Sequence, residues 1–93
     1  MDNYKFTKGK WQIAGSENTF VYALNEKGTN AFSLNINNDG KTPLEEQQAN
    51  ALLISKSPLL LKAIKDSINE LREVGLNDMA NYHEKLYNEC VNL

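Results

Sequence analysis

Ninety-three residues, 41% hydrophobic and 24% charged, with a formal net charge of -2, describe one small globular domain over residues 1–93 rather than a disordered chain or a two-domain enzyme. A chain this short holds one core but has little left to wall a deep pocket. Its basic residues are scattered and its isoelectric point is near 5.3, which argues against nucleic acid as a partner, because such binding rests on clustered Lys and Arg.

Up to about residue 38 the apolar side chains alternate, and beyond residue 43 they recur every three or four. The period predicts sheet first and helices second. Trp11 and Ile13, then Phe20, Tyr22 and Leu24, then Phe32, Leu34 and Ile36 mark three short strands. Asn25, Glu26, Lys27 and Gly28 read as a hairpin turn that pairs Asn25 with Thr29. Counting back from it sets Tyr22 opposite Phe32 and Phe20 opposite Leu34. A four-residue turn from Gly15 to Asn18 sets Ile13 opposite Phe20 and Trp11 opposite Tyr22. The result is a meander with all its aromatic positions on one face, and with Gln12, Ala14, Val21, Ala23, Ser33 and Asn35 on the reverse.

Thr42, Pro43, Leu44 and Glu45 match a helix start, and the helix should run to about Lys56. Pro58 is expected to end it and, with Ser57 as cap, to open a second helix carrying Leu60, Leu61, Ile64, Ile68 and Leu71 on one stripe. Gly75 reads as the left-handed residue that stops this helix, and it places Leu76 beside Leu71. Asn77 and Asp78 can cap a third helix presenting Met79, Tyr82, Leu86 and Cys90. The expected fold class is therefore α+β: a three-stranded antiparallel meander followed by two or three C-terminal helices packed on one sheet face.

Chemistry-bearing groups are few. The one histidine, His83, neighbours Tyr82 and Glu84, but adjacent helical positions do not face each other. Cys90 lies seven positions on, about 10 Å along a helix. A lone cysteine forms neither an internal disulfide nor a cysteine-based metal site. The carboxylate pairs Glu45 with Glu46, Glu70 with Glu73 and Glu84 with Glu89 read as solvated helix faces. Residues 35–46 mimic a calcium loop in part, with Gly40 at the sixth place and Glu46 at the twelfth, but Asn35 stands where Asp is usual and Pro43 sits at the ninth place. A polar turn between strand and helix is the expectation there, with no metal and no cofactor. No run approaches the roughly 20 apolar residues of a membrane span, and the opening Met1-Asp2-Asn3-Tyr4-Lys5-Phe6 lacks the basic-then-apolar order of a secretory signal. A cytoplasmic protein without membrane contact is expected.

One stretch, Ala49-Asn50-Ala51-Leu52-Leu53-Ile54-Ser55-Lys56-Ser57-Pro58-Leu59-Leu60-Leu61-Lys62-Ala63-Ile64, resembles the Ala-Asn-Ala-x-Leu-Ile-x-x-x-Pro-x-Leu-Leu-x-Ala-Leu segment of small bacteriophage and prophage proteins. In that group a Trp-containing, β-rich part precedes the segment, as Trp11 and residues 20–36 do here. Ser55-Lys56-Ser57 stands in place of the usual alanine-rich spacer. The resemblance implies a phage or mobile-element origin, hence the cytoplasm of a host cell, and brings no catalytic residues with it. Asn50 is its one unexplained polar member, and its amide is expected to bond backbone at a sheet edge or at the helix break.

Thin chemistry and ample amphipathic surface lead to one functional expectation: a non-enzymatic phage-type protein that acts by protein–protein interaction on an unidentified host or phage protein, with a homodimer as one form. Val21 and Ala23 on the reverse sheet face, and Tyr82, Leu86 and Tyr87 on the last helix, are the candidate contact residues. The alternative is a binder of a small nucleotide-like ligand, with Trp11, Tyr22 or Tyr82 stacking on a base.

Overall fold

The change of hydrophobic period is a change of structure. The computed structural model describes residues 4–36 and 40–92. Three strands, β1 (Gln12–Ala14), β2 (Phe20–Leu24) and β3 (Asn30–Asn35), precede two helices, α1 (Leu44–Glu73) and α2 (Asn77–Val91). The strands form an antiparallel meander in the order β1-β2-β3, which gives the expected α+β class. The chain packs as two compact units: Thr7–Pro58, and residues 4–6 together with residues 59–92. The first holds the sheet and the N-terminal half of α1. The second is a helical hairpin of the rest of α1 with α2.

The turn at residues 25–28 forms as its side chains dictate. Asn25 Oδ1 accepts the backbone N–H groups of Lys27 at 2.9 Å and Thr29 at 3.1 Å, and Gly28 takes the left-handed φ of 79° that a Cβ would disfavour. Asn25 N–H donates to the Thr29 carbonyl at 2.8 Å, and Leu24 pairs with Asn30. Both pairs are as expected, but the register then shifts. Ala23 pairs with Phe32, Tyr22 with Ser33 and Val21 with Leu34, so Ala31 is an extra residue in β3, a bulge beside the turn. The other hairpin also departs by one residue. Ala14 pairs with Phe20 and Ile13 with Val21 around a loop of residues 15–19, where Asn18 adopts a left-handed φ of 58°.

Each slip moves side chains to the opposite face, because the strand period is two. Trp11, Ile13, Val21, Ala23, Phe32 and Leu34 share one face, and Gln12, Ala14, Phe20, Tyr22, Leu24, Ser33 and Asn35 share the other. The expected grouping of Phe20 and Tyr22 with Phe32 and Leu34 is thus corrected. Val21 and Ala23, on the central strand, are fully buried. Trp11, just before β1, and Phe32, on β3, stack with centroids 4.7 Å apart, and the Trp11 indole N–H donates to the Thr7 carbonyl at 3.1 Å. With Ala23 on the strand between, the two rings are free to meet.

Gln47, Ala51 and Ser55 are buried at every fourth position of α1, so they form the stripe that this half of the helix turns inward. Its place beside the sheet is fixed by Gln48, whose Nε2 donates to the Glu17 carbonyl at 2.9 Å, and by Leu52, which borders the same cleft as Ile13. Gln47 Nε2 donates to the Thr42 carbonyl at 2.9 Å, ahead of the first turn. Asn50 lies on the exposed side, and the amide-to-backbone bonds expected of it are made by Gln47 and Gln48.

Pro58 does not separate two helices; it lies inside α1. Its missing N–H leaves the Ile54 carbonyl without the usual partner four residues on. Nearby, Ser55 Oγ donates to the Leu52 carbonyl at 2.7 Å and Ser57 Oγ to the Leu53 carbonyl at 3.1 Å, so the two hydroxyls bond back within the helix instead of capping a new one. The real stop is at Gly75, as expected. Gly75 has φ 84°, its N–H donates to the Arg72 carbonyl at 3.1 Å, and Leu76 N–H donates to the Leu71 carbonyl at 2.8 Å, the paired closure of a Schellman motif. Leu76, rather than Asn77, stands at the N-cap of α2, without a side-chain capping bond.

In the hairpin unit Ile68, Ala80 and Tyr87 form the buried cluster, with Tyr4, Leu61, Ile64, Leu71 and Val91 packed on it. The hydroxyls of Tyr4 and Tyr87 hydrogen-bond to each other, and Phe6 stacks on Tyr4 at 4.6 Å. Arg72 pairs with Glu84 at 3.1 Å across the two helices.

Two substitutions test this arrangement. No atom lies within 4 Å of a Cβ built on Gly75, so Gly75→Ala should cost about 1 kcal/mol through backbone conformation alone. Pro58→Ala should raise stability by about 2 kcal/mol by restoring a helical hydrogen bond. Urea titrations read both as midpoint shifts at constant slope, and a destabilised Pro58→Ala protein would show that the proline is needed as a break.

Candidate protein-interaction surface

The five candidate contact residues divide sharply. Val21 and Ala23 are fully buried, and Tyr87 is 6% exposed. Their place on the interior side follows from the two register slips for the strand residues, and for Tyr87 from its packing under Lys65, whose Nζ lies 5.1 Å from the ring centroid, and beside Tyr4. None of the three offers a surface in this structure. Tyr82 and Leu86, by contrast, are 71% and 48% exposed.

Helical geometry explains the division. On α2, Ala80, Tyr87 and Val91 face the hairpin core, whereas Met79, Tyr82 and Leu86 fall within about 60° of one another on a different side. Met79 is 53% exposed, and Cys90 continues the same line toward the C-terminal end, also exposed. The apolar stripe that the sequence assigned to the last helix therefore exists, but it points to solvent. A second apolar line, displaced around the helix, does the packing. Ala80 and Val91 on that second line gave little sequence signal because an alanine and a valine in the last turn do not make a periodic pattern by themselves.

On the sheet, Phe20 and Leu24 are exposed on the face opposite to Val21, with the half-buried Tyr22 between them, and Leu34 is exposed on the same face as Val21. A shallow, open concavity of about 790 Å³ lies beside the turn, lined by Thr7, Lys8, Gly9, Leu24 and Ala31 among others. Trp11, offered as a stacking platform, has Phe32 against its ring. Tyr82 lies 5.8 Å from the ring of His83 in a tilted arrangement.

Among the described residues no three His, Cys, Asp or Glu side chains gather where they could hold a metal ion. The centre of the calcium-like segment, residues 37–39, lies outside the described residues. No described helix is long and apolar enough to cross a membrane. No protein-family model matches the chain, and no curated protein or solved structure matches it.

The burial pattern separates surface from core by stability alone. Tyr82→Ala should change the unfolding free energy by no more than about 0.5 kcal/mol, and Tyr87→Ala should cost about 3 kcal/mol or more. Equal losses in chemical denaturation would place Tyr82 in the core and remove it as a contact residue.

Proposed function

We propose that the chain is a non-enzymatic interaction protein of phage type, which works by binding another protein chain, of host or phage origin, through the outward side of α2. The observation that carries this reading is the exposed line Met79, Tyr82 and Leu86 on a helix whose other side is already packed. Apolar side chains scattered singly over a surface need no explanation, but a contiguous line of them on a regular element marks a contact site. Tyr and Met are residue types enriched at such contacts: tyrosine brings a large area with few rotatable bonds, and methionine adapts to an irregular neighbour. The Ala49 to Ile64 segment supports the phage assignment by its resemblance. A binding role asks only for a rigid display, and the Gly75 closure with the Arg72 to Glu84 pair supplies one by fixing where α2 begins and how it lies on α1.

A photo-reactive phenylalanine analogue at position 82, and in a separate protein at the exposed position 62, tests the reading in expressing cells. Irradiation should give a discrete protein adduct from position 82 that disappears when Leu86→Ser is added, and none from position 62. Adducts of equal yield at both positions, or none at either, would remove α2 as the binding surface.

A further inference from the structure

We infer that the chain bound by α2 is a second copy of this one, the two α2 helices lying antiparallel about a two-fold axis with Asp78 of each copy against Lys85 of the other. This rests on the reading of α2 as the interaction surface and names what occupies it. Met79, Tyr82 and Leu86 are spaced three and then four apart, the interval of a coiled-coil seam, and Asp78 and Lys85 each sit directly before a seam residue on the same flank. Glu89, three positions beyond Leu86, takes the next seam place, with Cys90 beside it on the flank away from Lys85. Asp78 and Lys85 are exposed, and neither has an ion-pair partner among the described residues of its own chain.

A two-fold antiparallel pair lays the same flank of both helices side by side, so the flanking charges decide the register. With Met79 of one copy against Tyr82 of the other, Asp78 falls opposite Lys85 twice over, once on each side of the axis. Moving the seam one heptad so that Tyr82 meets Leu86 would set Lys85 against Lys85, and moving it the other way would set Asp78 against Asp78. A parallel pair would turn this flank toward His83 and Cys90, leaving both charges unpaired. One arrangement joins opposite charges, and the same one brings the ends together. Val74 and Leu76, 71% and 51% exposed in the turn between the helices, come alongside Leu86 of the second copy. The contact is self-complementary and closes on itself, so it makes a dimer and not a filament.

Sedimentation equilibrium on the full chain at low ionic strength, from micromolar to millimolar, should show a species of twice the 10.5 kDa monomer mass. Asp78→Lys and Lys85→Asp each make the flank uniform in charge, so each alone should self-associate about 5- to 20-fold more weakly. Mixed in equal amounts, the two variants should recover wild-type affinity, because every flank contact in the mixed pair joins Lys to Asp. Circular dichroism of each variant checks that α2 is still formed, and recovery in the mixture is a gain that damaged folding does not produce. A chain that stays monomeric at millimolar concentration, or a mixture no tighter than its components, overturns the inference. If position 82 then still crosslinks to a different protein, the binding role of α2 survives without the dimer. If it does not, both fall.

Discussion

Small side chains fill most of the buried interior of this protein. The fully buried positions of the sheet unit are Val21, Ala23 and Ala51, with Gln47 and Ser55 nearly so, and the hairpin turns on Ala80 between the larger Ile68 and Tyr87. Where alanine and serine line a helix, the backbone can come close to its neighbour, and the packing is held by many short-range atom pairs instead of a few large side chains. The consequence appears on the outside. Larger apolar side chains stay at the margins: Leu52, Leu53, Leu59 and Leu60 on α1, and Met79, Tyr82 and Leu86 on α2, remain 47% to 71% exposed. A small-residue interior and an apolar exterior go together in this chain.

Sequence reasoning succeeded where the structure is decided locally. Strand number, the turn around Asn25, the stop at Gly75 and the apolar line of α2 were all readable, because each depends on side chains within four or five residues of one another. Facing was not readable. It depends on Ala31, an ordinary alanine that becomes the bulged residue only because β2 and β3 then set Val21 opposite Leu34 and Ala23 opposite Phe32. Nothing local in the sequence marks Ala31 as unpaired; the gain from burying Val21 and Ala23 lies in tertiary structure. Pro58 failed for the converse reason. Its local signal is strong, and Ser57 before it looks like a cap, but a long helix with packed residues on either side tolerates one lost hydrogen bond.

The candidate surface was legible in part for the same cause. Periodicity identified Met79, Tyr82 and Leu86 as a line, but it does not say whether a line points to the core or to another molecule. Tyr87 lies two turns on from Ala80, and this pair, one residue away from the obvious stripe, forms the packing side. A helix with two apolar lines has one more than its own hairpin uses. The surplus line, Met79, Tyr82 and Leu86, stays exposed.

Tyr4 carries a consequence of its own. Tyr4 and Phe6 belong to the same compact unit as residues 59–92, and the Tyr4 hydroxyl is bonded to that of Tyr87 in the last helix. During synthesis Tyr4 must wait for Tyr87 to be made, whereas the described residues of 7–58 belong to a compact unit of their own. A translation product cut short before α2 would leave Tyr4, Ile64 and Ile68 greasy and uncovered, a form that cellular quality control is built to recognise.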